Sequence, residues 1–359
     1  MAGATDVETG ALKISIGIGG AGSGSRRDFH DQVEYVVEAE SLGVDTVWTA
    51  EAWGQDAVSP LAFLAAKTDK IRLGTGIMQI SARSPSMTAM TALTLAAISD
   101  DRFILGLGAS GPQVVEGLQG RPFRAPLTRM RETVDIIRLA FAGDKLIYDG
   151  KYHQLPLPGG EGKALRLAQP GNDRIPIYLA TLGPRTLEYT GEVADGWLGT
   201  SFTPEHADAH LSHIDKGAAA AGRSRADLDI QVGGAVGFAT DISSYIEALR
   251  PGMAFTLGAM GSPRTNFYNE AYRRGGWQEA AVEVQELWIA GEREAAAARV
   301  PVEMIVQANL LGDEETVKAR MQAYRDAGVT TLRVQPLGSG MAERLTVLGR
   351  VLDLANALN

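Results

Sequence analysis

Short runs of aliphatic and β-branched residues alternate along the chain with longer stretches in which apolar residues recur every three or four positions. The short runs are typical of buried strands, and the longer stretches are typical of amphipathic helices. The pattern predicts eight strands, over 14–19, 46–51, 71–78, 102–109, 175–181, 196–201, 228–239 and 330–335. It also predicts eight principal helices, over 28–42, 59–67, 86–99, 124–142, 184–194, 204–221, 313–327 and 341–358.

Repeated strand–helix units of this kind imply a parallel sheet with helices outside it, and eight such units close a barrel. We therefore predict an α/β fold, a TIM (β/α)8 barrel with insertions. The rival fold is a doubly wound open sheet, which usually needs fewer units and carries GxGxxG in its first turn. Residues 18–24 read IGGAGSG and do not fit that spacing with a helix starting directly after it.

The length of 359 residues exceeds that of a usual domain, but α/β barrels commonly reach this size. We therefore expect a single barrel domain over 1–359. Two stretches interrupt the alternation, over about 144–174 and 242–309. The first contains a predicted hairpin that turns at Asp149-Gly150, and the second is mainly helical. Insertions of this length usually border the active-site face of a barrel or build an oligomer contact.

Charge and composition narrow the possible functions. Lys and Arg total 34 against 43 for Asp and Glu, a formal charge of −9 without long runs of one sign. A nucleic-acid surface would show basic clusters, so we expect no nucleic-acid partner. The chain has no cysteine, which excludes disulfides, thiolate nucleophiles and cysteine-ligated metals. No stretch reaches the roughly 18 apolar residues of a membrane span. The sequence therefore predicts a cytoplasmic protein with no membrane partner and a poorly ordered leader over 1–12.

Three histidines fall in one predicted helix. His206, His210 and His213 have spacings that share a helix face, so a metal cluster has to be considered. No HExxH pattern is present, and Asp208 and Asp215 lie among them. We interpret this stretch as a solvated helix face and predict no metal site.

The predicted C-terminal ends of the first six strands are rich in glycine, serine and threonine. In a barrel these ends carry the active site, and such residues let the backbone approach a flat ring or a phosphate closely. Glycine and serine also end strands in ordinary βα loops. After the fifth strand, ATLGP leads into a helix starting at Pro184, whose N-terminus suits a phosphate. Arg185 either adds positive charge there or is a solvated side chain.

Candidates for acid–base chemistry are few. Glu51 follows an apolar strand and is the candidate catalytic residue, with structural burial beside a hydrogen-bonded partner as the alternative. Trp53 is either a wall for ring stacking or loop packing. The sequence contains no GxSxG, Walker or HExxH motif, so hydrolase and nucleoside-triphosphatase chemistry lack support.

Long motifs at the strand ends carry a family resemblance. The stretch over 71–117, IRLGTGIMQISARSPSMTAMTALTLAAISDDRFILGLGASGPQVVEG, resembles the strand three to four segment of the luciferase-like monooxygenase superfamily, in its F420-dependent oxidoreductase branch. The stretch PIYLATLGPRTLEYTGEVADGWLGTS is similar to the strand five to six segment of that family. NFYNEAYRRGGWQEAAVEVQELW and DAGVTTLRV are also similar to one group within the branch. The resemblance covers nearly the whole chain from about residue 13 and implies the bacterial luciferase-like form of the barrel.

The resemblance implies a site for the deazaflavin coenzyme F420. It places a non-prolyl cis peptide bond at Gly76-Ile77, against which the ring bends. Cofactor contacts carried over from the family fall at Gly76, Ile77, Gln79, Gly108, Ala109 and Ser110 for the ring or ribityl chain, and at Ala180, Thr181, Leu182, Gly183 and Thr200 for the phosphate. Relatives often carry Asp-His where this chain has Ala50-Glu51, so substrate-recognising residues do not transfer. A homodimer is also implied.

The function implied by the resemblance is that of an enzyme, an F420-dependent oxidoreductase. It would transfer a hydride between C5 of the deazaflavin and a small organic substrate. The enzymatic alternative is an FMN-dependent two-component monooxygenase, to which a separate reductase supplies reduced flavin. The non-enzymatic alternative is a non-catalytic barrel that binds the cofactor or another ligand. We expect the loop over 19–25 and the segment over 111–124 to act as mobile lids, because both are rich in glycine or proline.

Overall fold

A computed structural model of the chain describes residues 11–19, 24–262 and 265–359. These residues form thirteen strands, β1 Lys13–Ile18, β2 Thr46–Thr49, β3 Arg72–Thr75, β4 Met78–Gln79, β5 Phe103–Gly108, β6 Tyr148–Asp149, β7 Gln154–Leu155, β8 Ile177–Ala180, β9 Gly196–Leu198, β10 Asp229–Val232, β11 Ala235–Phe238, β12 Leu310–Gly312 and β13 Thr331–Pro336.

The same residues form thirteen α-helices, α1 Arg26–Leu42, α2 Val58–Ala65, α3 Pro85–Ile98, α4 Pro126–Phe141, α5 Pro184–Val193, α6 Asp208–Ala220, α7 Ser243–Gly258, α8 Phe267–Tyr272, α9 Gln278–Ile289, α10 Arg293–Ala298, α11 Val302–Ala308, α12 Glu314–Asp326 and α13 Met341–Leu358. Each of the eight predicted strands and eight principal helices has a counterpart here. Most of the predicted leader and of the first predicted lid lies outside the described residues.

The described residues group into two compact units. The N-terminal unit comprises Gly17–Glu40 and Thr46–Ala180, and the C-terminal unit comprises the residues up to Ile16, Ser41–Asp45 and Thr181–Asn359. The expectation of a single domain over 1–359 stays a prediction.

The sheet of the N-terminal unit is parallel. β2 pairs with β3, β3 and β4 pair with β5, and β5 pairs with β8. All six residues of β5 are buried, as expected for a parallel strand that is covered on both faces. The register aligns Gln79 and Ala180 with Gly108. The C-terminal ends of these strands therefore meet along one edge of the sheet.

In the C-terminal unit, β13 pairs in parallel with β1, β10 and β11, while β9 pairs with β10 and β11 with β12. The predicted strand over 228–239 is broken at Gly233-Gly234 into β10 and β11. A Cβ on Gly233 would lie 2.2 Å from the Arg333 carbonyl oxygen, and one on Gly234 would lie 2.2 Å from that of Ala308. The glycines permit this close approach of neighbouring backbones.

The two interruptions predicted from the sequence are present. The first contains the β6–β7 hairpin, in which the Gly150 N–H donates to the His153 carbonyl at 2.9 Å. The second contains α7 to α11, whose buried face includes Leu257, Val284 and Met304. The sequence pattern missed the short strand β12, which follows directly. Among the described residues, no helix has both the length and the apolar character needed to cross a bilayer.

Candidate cofactor site

The third predicted strand is divided into β3 and β4 by a cis peptide bond between Gly76 and Ile77. The prediction of a non-prolyl cis bond at this position is confirmed. The Gly76 N–H donates to the Thr49 carbonyl at 2.6 Å, and the Glu51 N–H donates to the Ile77 carbonyl at 3.1 Å. These hydrogen bonds hold the segment between β3 and β4 against the end of β2.

Glycines at 74 and 76 make room for a buried indole. A Cβ on Gly74 would lie 2.3 Å from Trp48 Cζ3, and a Cβ on Gly76 would lie 3.2 Å from Trp48 Cβ. Trp48 is buried, and its ring lies 5.7 Å from that of Tyr178. The Trp48 ring therefore occupies the space that larger side chains at 74 and 76 would need, and the packing of these three residues shapes the strand end.

The end of β5 lies beside this segment. A Cβ on Gly108 would lie 2.9 Å from Cδ1 of Ile77, so the isoleucine side chain packs directly on the glycine backbone. Gly108 is buried, Ala109 and Ser110 are half-buried, and Ser110 has a φ of 59°. The structure therefore brings four predicted ring contacts together, and Ala180 pairs with Gly108 on the next strand.

Glu51 has a partner that the sequence did not indicate. Its carboxylate accepts two hydrogen bonds from Arg83, at 2.7 Å from Nη1 and 2.5 Å from Nη2. This pairing raises the pKa of the Arg83 guanidinium above its ordinary value. The arrangement matches the alternative interpretation of Glu51, burial with a hydrogen-bonded partner. Arg83 lies in the loop before α3, and only the tertiary structure identifies it.

Gln79 is buried, and its side chain is engaged by the protein at both ends. Its Nε2 donates to the Glu51 carbonyl at 2.9 Å, and its Oε1 accepts from Nε2 of Gln119. Gln119 follows a π-helical turn over Gln113–Leu118 in the second predicted lid. The amide of Gln79 thus links that segment to the end of β2. Its contact with a cofactor ring stays a prediction.

In the C-terminal unit, three of the predicted phosphate contacts, Thr181, Leu182 and Gly183, directly precede α5. Thr181 is buried, with its hydroxyl 2.7 Å from that of Thr190 and its carbonyl accepting from the indole of Trp197 at 2.9 Å. Gly183 is the residue before α5, and no side chain caps the helix there. Pro184 has no N–H, and the N–H groups of Thr186 and Leu187 donate to the Gly183 carbonyl. The donor set that α5 offers a phosphate therefore consists of the Arg185 N–H and the helix dipole.

An arginine from the second insertion extends this donor set. Arg274 Nη2 donates to the Leu182 carbonyl at 2.5 Å, and burial lowers the pKa of its guanidinium below the ordinary value. No sequence pattern indicated Arg274, because 92 residues separate it from Leu182. Arg185, the charge considered from the sequence, is exposed, and Thr200 is half-buried after β9.

The interpretation of the three histidines as a solvated face is wrong for His210. This residue is only 1% exposed, and its ring lies 5.5 Å from that of Trp197 and 5.9 Å from that of Phe202. Burial lowers its pKa to about 4. His206 and His213 are half-buried, and His213 lies 3.5 Å from a Glu188 carboxylate oxygen. His210 lies on the buried side of α6, where Leu211 and Ile214 of the same helix also belong to the core.

Comparison with known proteins places these features in a family. A model of the luciferase-like monooxygenases matches residues 11–331. A Mycobacterium tuberculosis protein assigned as a coenzyme F420-dependent oxidoreductase is 39% identical over 330 residues, which cover 90% of this chain and 94% of that protein. A 5,10-methylenetetrahydromethanopterin reductase of Archaeoglobus fulgidus is 31% identical over 327 residues, or 89% of this chain and 94% of the reductase.

The fold has a close counterpart among solved structures. The coenzyme F420-dependent tetrahydromethanopterin reductase of Methanopyrus kandleri superposes with a TM-score of 0.78 at 25% identity, covering 95% of this chain and 98% of the reductase. The predicted TIM-barrel fold of the luciferase-like type is confirmed. With the family model matching almost all of the described residues, the chain belongs to the luciferase-like monooxygenase family.

Proposed function

We propose that this protein is an F420-dependent oxidoreductase that transfers a hydride between a deazaflavin and a small organic substrate. The observation that carries the proposal is the donor set before α5, where an uncapped helix N-terminus and Arg274 lie at the same loop. Such a set suits the phosphate of the cofactor. The two F420-linked relatives, at 39% and 31% identity over most of the chain, support the same cofactor.

In this proposal the binding residues fall into two groups. The ring or ribityl chain would contact Gly76, Ile77, Gln79, Gly108, Ala109 and Ser110. The phosphate would be held by Ala180, Thr181, Leu182, Gly183 and Thr200, and we propose Arg274 as a further contact because it donates to the Leu182 carbonyl.

When bound, the deazaflavin would supply a carbon centre, C5, that accepts or donates a hydride. The chain itself would orient the ring and supply backbone N–H donors. Glu51 stays the acid–base candidate, but both of its carboxylate oxygens accept from Arg83. We therefore propose that Glu51 holds Arg83 in place at the site. A homodimer and a cytoplasmic location remain predictions.

A cofactor titration tests the proposal. The purified protein is titrated separately with F420 and FMN while quenching of its tryptophan fluorescence is followed. We expect saturable binding of F420 at micromolar concentrations and much weaker binding of FMN. Saturable binding of FMN with none of F420 would contradict the proposal and favour the monooxygenase alternative.

Turnover separates an enzyme from a binding protein. Alcohols are screened with oxidised F420 and enones with reduced F420, and the visible absorbance of the deazaflavin is followed. We expect a change in absorbance with at least one substrate class, and none when the protein is heat-denatured. Tight F420 binding without turnover across the screen would favour the non-catalytic barrel.

A further inference from the structure

The N-terminal unit contains a cavity of about 480 Å³. Its walls come from the residues after β4 and β5, the starts of α3 and α4, and the second predicted lid. The volume lies within the range of small-molecule sites. Ala109, a predicted ring contact, is part of the lining. The cavity is therefore next to the residues proposed to hold the ring.

The charge on the lining is of one sign. Arg121, Arg124 and Arg129 line the cavity, and none of the described residues in its wall is acidic. Within the described part of the chain, none of these three guanidinium groups forms an ion pair with a carboxylate. Arg83 also lines the cavity, but Glu51 compensates its charge. A concave surface with uncompensated positive charge attracts anions.

Two helices begin at the cavity. Pro85 and Pro126 are the first residues of α3 and α4, and both line it. Ala125, the residue before α4, has no side chain that could cap the helix, whereas the Ser84 hydroxyl caps α3. The partial positive charge at each helix N-terminus adds to that of the arginines.

Two buried hydroxyl groups of the wall have no hydrogen-bond partner within the protein. They are Oγ of Ser81 and Oγ1 of Thr133, and Thr133 is only 2% exposed. A buried hydroxyl without a partner destabilises the protein, so an acceptor that enters the cavity would recover the lost hydrogen bond. Oxyanions are acceptors of this kind.

The remaining walls are apolar and include Val115 and Phe123. His153 also lines the cavity, and burial lowers the pKa of its imidazole below the ordinary value, while the nearby Glu132 carboxylate acts in the opposite direction. The wall therefore combines a neutral imidazole and apolar surface with positive charge and free hydroxyls. This combination suits an organic molecule that carries one anionic end.

We infer that the cavity binds the anionic end, a carboxylate or a phosphate, of the organic substrate. Arg124 and Arg129 supply the charge, and the hydroxyls of Ser81 and Thr133 donate hydrogen bonds to the oxygens. The assignment to the substrate rests on the proposed function, because it takes Ala109 as a contact of the cofactor ring. Anion binding by the cavity does not depend on that function.

Direct binding of probe anions tests the inference. Succinate and inorganic phosphate are titrated by calorimetry at low ionic strength into the protein, with neutral succinamide as the matched control ligand. We expect binding of at least one anion and none of succinamide. The variants Arg124→Gln and Thr133→Val each weaken anion binding about ten-fold, the effect of one charge-assisted hydrogen bond. Arg166→Gln, which removes an exposed arginine outside the cavity, leaves the affinity unchanged.

Both variants are chosen to preserve the fold. Arg124 is exposed, so Arg124→Gln should keep the wild-type thermal midpoint. Thr133→Val keeps the shape of a buried side chain and removes an unpaired hydroxyl, so its midpoint should be at or above that of the wild type. The inference would be overturned if succinate and phosphate did not bind the wild type at millimolar concentrations, or if they bound all variants with equal affinity.

A second series of titrations measures F420 affinity for the same variants. Loss of F420 binding in the same variants that lose anion binding would assign the cavity to the anionic part of the cofactor and overturn the substrate assignment. If the protein binds these anions but does not bind F420, the inference of an anion-binding cavity is retained and the proposed function is rejected.

Discussion

Glu51 and Arg83 form a two-point ion pair although 32 residues separate them in the chain. Their side chains are 9% and 22% exposed. The pair joins the segment after β2 to the loop before α3, at the strand edge where the cofactor contacts are proposed. Planar pairing of this kind fixes the direction of both side chains, so it orients Arg83 as well as neutralising it.

Replacement of Glu51 by glutamine should lower the free energy of unfolding. Glu51→Gln removes the negative charge and leaves a half-buried guanidinium without its partner, which costs about 1–3 kcal/mol. Urea denaturation followed by circular dichroism measures the loss. Glu161→Gln is the matched control, because Glu161 is exposed. Equal midpoints for the two variants would show that the ion pair does not contribute to stability.

The same variant separates positioning from proton transfer. If Glu51 only holds Arg83, kcat of Glu51→Gln falls while the shape of its pH profile is kept. Loss of one limb of the profile would instead make Glu51 the acid–base residue. The measurement uses F420-coupled turnover with a substrate found in the screen.

Arg274 is expected to contribute to cofactor affinity. Arg274→Gln removes the positive charge at the N-terminus of α5 and should weaken F420 binding about ten-fold, the effect of one charge-assisted hydrogen bond. Arg273→Gln is the control, because Arg273 is exposed and donates to Gln278. Fluorescence titration with F420 measures both. Unchanged affinity in Arg274→Gln would remove Arg274 from the phosphate site.

A methyl group at position 74 should disturb the strand end. In Gly74→Ala, the added Cβ would lie 2.3 Å from the Trp48 ring, and overpacking of this kind costs about 1–3 kcal/mol. F420 affinity should fall as well, because the ring contacts follow this strand. Gly349→Ala is the control, since a Cβ there meets nothing within 4 Å and the position is inside α13. Equal thermal midpoints for Gly74→Ala and Gly349→Ala would contradict the prediction.

His210 should make the protein sensitive to mild acid. Burial holds its pKa at about 4, below the 6.5 of an unperturbed histidine. Between these values the unfolded chain binds a proton that the folded chain does not, so stability falls as the pH drops through this window. From pH 7 to pH 5 the contribution is about 2 kcal/mol.

The variant His210→Phe should remove that part of the acid sensitivity while keeping a ring against Trp197. Urea midpoints at pH 7 and pH 5 measure the difference. His30→Gln, at an exposed position, should retain the wild-type dependence on pH. An identical drop in midpoint for wild type and His210→Phe would place the acid-sensitive group elsewhere.

Local sequence patterns predicted most of the fold. Apolar periodicity is a property of neighbouring residues, so it located the eight principal strands and helices to within a few positions. It could not detect the break of the seventh strand, because Gly233 and Gly234 are needed only where the backbones of Arg333 and Ala308 approach them. Family motifs, which are also local, identified the cis bond at Gly76-Ile77.

The sequence by itself thus determined the order of elements, the barrel class and the glycine-rich strand ends. Only the tertiary structure decided which side chains meet there. Arg83 reaches Glu51 and Arg274 reaches Leu182 because packing brings distant segments together. Burial of His210 and convergence of α3 and α4 on one cavity depend in the same way on long-range packing. Hydrophobic periodicity carries no information about such pairs, since it records which face of an element is buried and not what it is buried against.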